Sequence, residues 1–387
     1  MSWENKKKTF DEWLEYECRP RKKQERIIKD AVNRFPNMSH DEIVTKVNAK
    51  FTQQDDVSAK TERELAYYKE HFENTQRRDK FIDEIADLIK ENVKPLNVIK
   101  EWKPAKRSSA KPEEEILIFN SDQHIGFRVD DKERPQGGME YNPEVAEKRI
   151  TDYSQTVMKI VENHRQYENI DVCHLLYLGD GIEGDWKGLN MSKDNIVEQY
   201  TSAFSIFLSQ IQFFSSQFRE VHINCIYGNH SRMDKGQPEY INWEYILWKY
   251  AMSLSLKNIK NVTLNVPSTP FGDFKIYDWK FAAIHGGGIK MVYKTPYYGI
   301  ETAYKEYNEI FQELEAGRFN YLTLGHFHSP ASLNDNKIKM CGSTVGYLPF
   351  AISALRKYCR PSQKICFVHK EHGIVQDRDI YLDSVRN

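Results

Sequence analysis

Val172-Cys173-His174-Leu175-Leu176-Tyr177-Leu178 runs directly into Gly179-Asp180-Gly181-Ile182-Glu183, an apolar stretch of strand length followed by a turn that carries carboxylates. A strand fixes where such a loop begins while the loop frees its side chains, so strand ends are where α/β sheets build ligand sites. The same pattern recurs four times. Ile116–Phe119 precedes Ser121-Asp122-Gln123-His124-Ile125-Gly126, and Val221–Tyr227 precedes Gly228-Asn229-His230. Phe281–Ile284 precedes His285-Gly286-Gly287, and Tyr321–Leu324 precedes Gly325-His326-Phe327-His328.

Taken singly, none of these segments says much. Asp-x-His in a loop is ordinary surface chemistry, Gly-Asp and Gly-Asn-His are common turns, and a single His-Gly carries almost no information. Together they supply Asp122, His124, Asp180, Asn229, His285, His326 and His328. Imidazole combined with carboxylate and amide oxygen is a donor mix suited to manganese, iron or zinc.

Between the strands lie segments of helical spacing: Glu144–His164, the aromatic-rich Lys193–Phe218 and Glu239–Met252. Strands alternating with helices of this length predict an α/β layered domain with sheets at its centre. Phe204, Phe207, Phe213 and Phe214 read as core. From Val262 onward strands dominate: Val262–Val266, a long Phe274–Ile284, Tyr321–Leu324, Ile338–Cys341 and Lys364–His369, with a helix at Tyr304–Leu314. Asn334-Asp335-Asn336 predicts a hairpin turn.

The first 92 residues read as helices only. Ile27, Ile28, Ala31, Val32 and Phe35 share one helical face, Pro36 stops that helix, and Ser39-His40-Asp41-Glu42 has the form of a capping box before Ile43, Val44, Val47 and Phe51. Two further helices are expected, one carrying Leu65, Tyr68 and Phe72, the other Ile82, Ile85 and Ile89. Residues 93–112, with Pro95, Pro104 and Pro112 among Lys103, Lys106, Arg107 and Lys111, read as a basic linker. The expected organisation is therefore 1–92 helical, 93–112 linker and 113–387 catalytic domain. The turn at Pro36–Ser39 has helix-turn-helix spacing, and Lys60, Arg63 and Lys69 could face DNA, but Glu62, Glu64 and Glu70 share their helix. Docking of a protein partner, or homo-oligomerisation, is the equal alternative.

Composition narrows the class. Net charge is −1; residues 1–111 hold 25 Lys and Arg against 21 Asp and Glu, and the remainder 30 against 35. That mild asymmetry permits a nucleic-acid-facing N-terminal region without demanding one. No apolar run reaches the ~18 residues of a membrane span, and Met1–Phe10 has no signal-peptide core. Cys18, Cys173, Cys225, Cys341, Cys359 and Cys366 form no Cys-x-x-Cys pair, which fits reduced thiols in a cytoplasm, the host's if the source is viral.

The five segments, in this order from Glu115 to about residue 370, resemble the signature of the calcineurin-like metallophosphoesterases: Asp-x-His, Gly-Asp-x-x-Asp, Gly-Asn-His-Asp/Glu, His, Gly-His-x-His. The resemblance implies a four-layer α/β/β/α sandwich, here preceded by a small all-α N-terminal domain. It also implies two divalent metal ions, manganese first, with iron, zinc or magnesium as alternatives. Asp122, His124, Asp180 and His328 would hold one; Asp180, Asn229, His285 and His326 the other, with Asp180 bridging. His230 would act as proton donor or charge stabiliser rather than ligand. The chain departs from the pattern at Glu183, where Asp is common, and at Ser231, where Asp or Glu is common; either change bears on how His230 is oriented. Arg232 and Lys235 follow at once. A guanidinium pairs well with phosphate, so Arg232 is expected to contact substrate, whereas Lys235 reads first as a solvated loop residue. Gly-Asn-His-x-Arg beside an N-terminal helical domain looks like bacterial-virus metallophosphoesterases and DNA-repair exonucleases.

The expected function is therefore dinuclear-metal phosphodiester hydrolysis, with DNA as the substrate. A small-nucleotide phosphodiesterase or phosphoprotein phosphatase is the second reading, and a non-catalytic DNA-binding scaffold the third. Tyr293, Tyr297 and Tyr298 read first as packing residues, with base stacking as the alternative.

Overall fold

The computed structural model describes residues 24–49, 111–129, 140–185, 194–233, 241–291, 295–314, 316–346 and 359–383, with isolated positions at 80, 83–85, 87 and 89. The chain separates into two compact units, Met1–Glu84 and Ile85–Asn387.

In the first unit, α1 (Gln24–Arg34) and α2 (40–49) pack through Ile27, Ala31, Ile43 and Val47, with Ile28, Phe35 and Met38 against them. The Glu42 amide donates to Ser39 Oγ at 3.3 Å, one half of the expected capping box. Val32, expected on the buried face, is exposed. The expected helix with Lys60, Arg63 and Lys69 lies outside the described residues, as do Phe51, most of the 93–112 linker and much of the helix with Ile82, Ile85 and Ile89, of which 80, 83–85, 87 and 89 are helical.

The second unit is mixed α/β with two sheets. Its elements are β1 (Glu114–Asn120), α3 (Pro143–His164), β2 (Val172–Leu178), α4 (Ile196–Ser215), β3 (Glu220–Ile226) and a helix α5 that runs from Trp243–Ile246 through a π-helical segment Leu247–Met252 into Ser253–Leu256. There follow β4 (Val262–Asn265), β5 (Phe271–Ile276), β6 (Trp279–Ile284), α6 (Tyr297–Glu313), β7 (Tyr321–Leu324), β8 (Ala331–Leu333), β9 (Ile338–Met340), β10 (Ser362–His369) and β11 (Gly373–Tyr381). The first sheet has the order β11-β10-β1-β2-β3-β4 and the second β5-β6-β7-β9-β8. β1 to β4 are parallel, as are β6, β7 and β9; β5, β8, β10 and β11 pair antiparallel.

β2 is buried at every residue, the uninterrupted apolar pattern of a strand covered on both faces. One face of the first sheet, with Ile116, Ile118 and Leu175, packs on α3, α4 and α5 through Val157, Phe207 and Trp248. Its other face, with Leu117, Phe119, Leu176 and Leu178, meets Phe281 and Ala283 of the second sheet. The remaining face of the second sheet, with Ala282, Leu322 and Met340, is covered by Ile300 and Phe311 of α6.

Several element boundaries differ from expectation. The single strand Phe274–Ile284 is a hairpin, β5 and β6, because Tyr277 turns the chain with a left-handed φ of 53°. α6 begins at Tyr297 rather than Tyr304, which places Tyr297 and Tyr298 in its first turn. β8 and β11 were not anticipated. The turn at Asn334-Asp335-Asn336 joins β8 to β9 with all three residues at positive φ. The described cysteines are free thiols, four of them buried. No helix among the described residues is long and apolar enough to cross a membrane.

A polar clasp ties the sheets at one edge. Lys339 of β9, fully buried, donates to Asp377 of β11 at 2.8 Å, and Asp377 also accepts from Ser332 of β8. Lys364 of β10 pairs with Asp379 at 2.6 Å. Burial opposes charge on Asp377, yet hydrogen bonds from Lys339 and Ser332 hold its carboxyl down at about 2. Because that value lies below the ~3.9 of an unfolded aspartate, the stabilisation is present above pH ~4 and is lost as pH falls through about 2. Breaking a buried pair leaves an uncompensated ammonium, costing ~3–5 kcal/mol when both partners are dry. Since Asp377 is partly exposed, Asp377→Asn should cost about 2 kcal/mol in urea unfolding at pH 7. The difference from wild type should narrow as pH falls from about 4 towards 2.

Candidate metal centre

All five donor-bearing loops leave the C-terminal ends of parallel strands: β1, β2 and β3 in the first sheet, β6 and β7 in the second. Packing of the sheets brings the two sets of loops together. Within the first sheet the loops continue the ladder: Asp122 N donates to Gly179 O at 3.0 Å and His124 N to Asp180 O at 2.8 Å. Between the sheets, His326 N donates to Asp122 Oδ2 at 2.9 Å. Glycine makes two of these approaches feasible. A Cβ on Gly228 would lie 2.0 Å from Asp180 Oδ1, and one on Gly325 would lie 1.9 Å from Ser121 Oγ and 2.6 Å from Asp122 Oδ2.

Asp122, His124, Asp180, His326 and His328 all adopt left-handed φ, from 46° to 67°. This region is sparsely used by residues with a Cβ, and such residues cluster at functional sites.

Every expected ligand is in this cluster. Asp122, His124 and His328 form one group whose donor atoms lie within 4.8 Å of one another; Asp180, His285 and His326 form a second. His328 Nε2 is 3.2 Å from Asp122 Oδ1 and 3.1 Å from His124 Nε2. In the second group, His285 Nε2 is 2.9 Å from Asp180 Oδ2, 3.1 Å from Asn229 Oδ1 and 3.3 Å from His326 Nδ1. A third group joins His124, Glu183 and His230. Asp180 reaches towards both sides: its Oδ2 faces His285 while its Oδ1 accepts from the His230 amide at 2.8 Å.

Second-partner bonds fix which ring nitrogen faces the centre. An ionised carboxylate or a carbonyl can only accept, so His124 donates through Nδ1 to Glu183 Oε2 at 2.7 Å, and His285 through Nδ1 to Leu178 O at 2.7 Å. Both present Nε2 to the cluster, the arrangement that orients metal-binding imidazoles. Asp122 and Asp180 are almost completely buried. Burial opposes their charge, but neighbouring histidines outweigh it and hold Asp122 at about 2 and Asp180 well below the usual carboxylate range. For His285 burial is likewise overcome, by Asp180 above all, raising it to about 9, whereas burial and His285 push His326 down to about 3. Two dry carboxylates ringed by imidazoles are a site for concentrated positive charge. The donor set and geometry fit divalent cations, whose binding would displace the His285 proton.

Three residues matter more than their sequence suggested. Glu183 Oε2 accepts from His124 and also from His230 Nδ1 at 3.1 Å, so the longer side chain at this position holds both rings. Glu244, a buried acid in α5, accepts from the amides of Gly181 at 2.6 Å and Gly228 at 2.8 Å, binding the second loop to the third. Nothing in the local sequence marked it. Ser231 is buried and donates to Glu244 Oε2 at 2.6 Å. A carboxylate in its place would face Glu244 in a dry setting, which accounts for the departure at this position. Arg232 lines a cleft that also includes Asn229 and His285. Lys235 and Tyr293 lie outside the described residues.

No protein-family model and no curated protein matches the chain. Several solved structures are similar to it. One is Vps29 complexed with zinc from Entamoeba histolytica, 13% identical, covering 69% of this chain and 99% of its own, with a TM-score of 0.28. Another is a conserved uncharacterized protein, a predicted phosphoesterase, from Streptococcus pneumoniae: 12% identical, 69% and 98% covered, TM-score 0.26. A third is YfcE, a phosphoesterase from E. coli: 12% identical, 68% and 98% covered, TM-score 0.26. At identities this low the chemistry has to be read from the chain's own residues.

The seam at Gly325 provides a direct check. Gly325→Ala forces its Cβ into Ser121 and Asp122, an overpacking expected to destabilise the fold by ~1–3 kcal/mol. Affinity for a divalent cation, measured by titration calorimetry, should fall at least tenfold because Asp122 and His326 are pushed apart.

Proposed function

We propose that the chain is a metal-dependent phosphoesterase of the calcineurin-like kind, hydrolysing phosphodiester bonds in DNA with two divalent ions, manganese first. The observation that carries this reading is the convergence of Asp122, His124, Asp180, Asn229, His285, His326 and His328, drawn from five loops and two sheets. The succession of helices, sheet, sheet and helix through three cores supports the four-layer sandwich of that family.

In this reading Asp122, His124, His328 and Asp180 hold one ion, and Asp180, Asn229, His285 and His326 the other. When bound, such ions polarise phosphoryl oxygens and bring the ionisation of water into the neutral range. The protein's own contribution is orientation. Asp180 has its two oxygens aimed apart by the His285 ring and the His230 amide. Glu183 fixes His230 through Nδ1, so Nε2 is the nitrogen that passes a proton to the departing ester oxygen. The His230 and His124 rings meet edge-on with centroids 4.5 Å apart, which puts the acid beside the ligands. Arg232 offers a guanidinium to phosphate from the adjoining cleft. The helices of the first unit would contact DNA or a protein partner, and a reducing cytoplasm suits the free thiols.

His230→Ala should bind manganese as wild type does yet lose roughly 10²–10⁴-fold in kcat, the contribution of a positioned general acid. Calorimetry and hydrolysis of bis-p-nitrophenyl phosphate separate the two. Chelation by EDTA should abolish turnover and manganese restore it. With manganese, single- and double-stranded DNA should be degraded. Intact DNA beside hydrolysed small esters would retain the phosphoesterase and refute the nuclease.

A further inference from the structure

A cleft adjoins the metal centre and shares Asn229 and His285 with it. It has a volume of about 730 Å³, within the range of small-molecule sites. Asn229 and His285 close one end. From there it runs between the Gly286-Gly287-Gly288 loop and the first turns of α6, past Phe271, Tyr298, Thr302 and Tyr307. The cleft walls are mainly apolar, and among the described residues Arg232, Lys290, Glu306 and His285 carry its charge. The glycines keep one wall thin: a Cβ on Gly287 would come within 2.8 Å of Asn229 Oδ1, and one on Gly288 would meet nothing within 4 Å. Tyr298 is 68% exposed although it sits on a helix whose Ile300 and Ala303 are buried. Tyr298 thus offers an open aromatic face in the same cleft as Asn229 and His285.

We propose that this cleft is a nucleoside subsite: the base next to the scissile phosphate stacks on Tyr298, and the sugar lies along the glycine loop towards Asn229 and His285. The substrate class is thus a single-stranded nucleic acid end or a short oligonucleotide. A paired base is already stacked and cannot enter a cleft of this size until it is unpaired. Stacking accepts any base, because each has a π-face, so the subsite confers preference for nucleic acid with little preference for sequence. The inference rests on the phosphodiesterase reading, which places the scissile phosphate at Asn229 and His285, but the subsite can be tested without turnover.

The test is equilibrium binding, by fluorescence anisotropy in EDTA, of labelled hexathymidylate and of the same oligomer with tetrahydrofuran abasic residues throughout. Wild-type protein should bind the base-bearing strand roughly tenfold more tightly, as expected for one stacked base. Tyr298→Ala and, independently, the cleft-narrowing Thr302→Leu should reduce that ratio to near one. Circular dichroism verifies that each variant is folded. Equal binding of the two oligomers by wild type, or a ratio that survives both substitutions, overturns the subsite. So does tighter binding of a phosphotyrosyl peptide than of the base-bearing strand. Hydrolysis of bis-p-nitrophenyl phosphate with manganese, run in parallel, reports on the phosphodiesterase reading alone. A base preference lost in both variants, with no ester hydrolysed, would sustain the subsite and defeat the catalytic assignment.

Discussion

Asp122 and the loop after β7 make the contact on which the site depends. Asp122 belongs to one sheet, Gly325 and His326 to the other, and the His326 amide donates to the Asp122 carboxylate with no room at Gly325 for a methyl group. Neither sheet carries the donor set by itself. The first contributes both aspartates, His124 and Asn229; the second contributes the remaining histidines. Sheet-on-sheet packing through Leu117, Leu176, Phe281 and Ala283 therefore sets the distance between the two halves of the centre as well as filling the core. Closely packed interiors transmit displacement instead of absorbing it, so the apolar seam acts as the ruler for the polar one.

Strain accompanies this precision. Five donor residues sit at positive φ, a conformation costing of order 1–2 kcal/mol for each residue with a side chain. The surrounding bonds hold them there: loop amides continue the β1–β2 ladder, Glu244 gathers the amides of two loops, and Gln363 accepts from the Ser121 amide. Much of this support is buried side-chain oxygen paired with backbone N–H, which stays rigid because leaving any partner unpaired in a dry setting is costly. The donor residues are thus held by bonds within the protein itself.

How much of this was legible in the sequence follows from the range of the interactions. Uninterrupted apolar runs such as Val172–Leu178 and Tyr321–Leu324 gave their strands to the residue, because strands buried on both faces need no pairing partner to be recognised. The donor set could be read as well, since each residue follows such a run at once. Partners that act across the fold could not. Glu244 looks like any acid on a helix until the loops close over it, and Gly373–Tyr381 shows no strand pattern of its own until Lys339 and Lys364 meet its aspartates. Tyr277 hid a turn inside an apolar stretch because only the backbone records a positive φ. Exposure of Tyr298 was likewise invisible, since an aromatic residue at a helix start can face either way.

The fork at Glu183 has a consequence of its own. One oxygen clasps two rings, those of His124 and His230. Any tug on one imidazole is felt by the other through a lever a single atom wide. The two rings can therefore be set only together, and a change at Glu183 would release both at once.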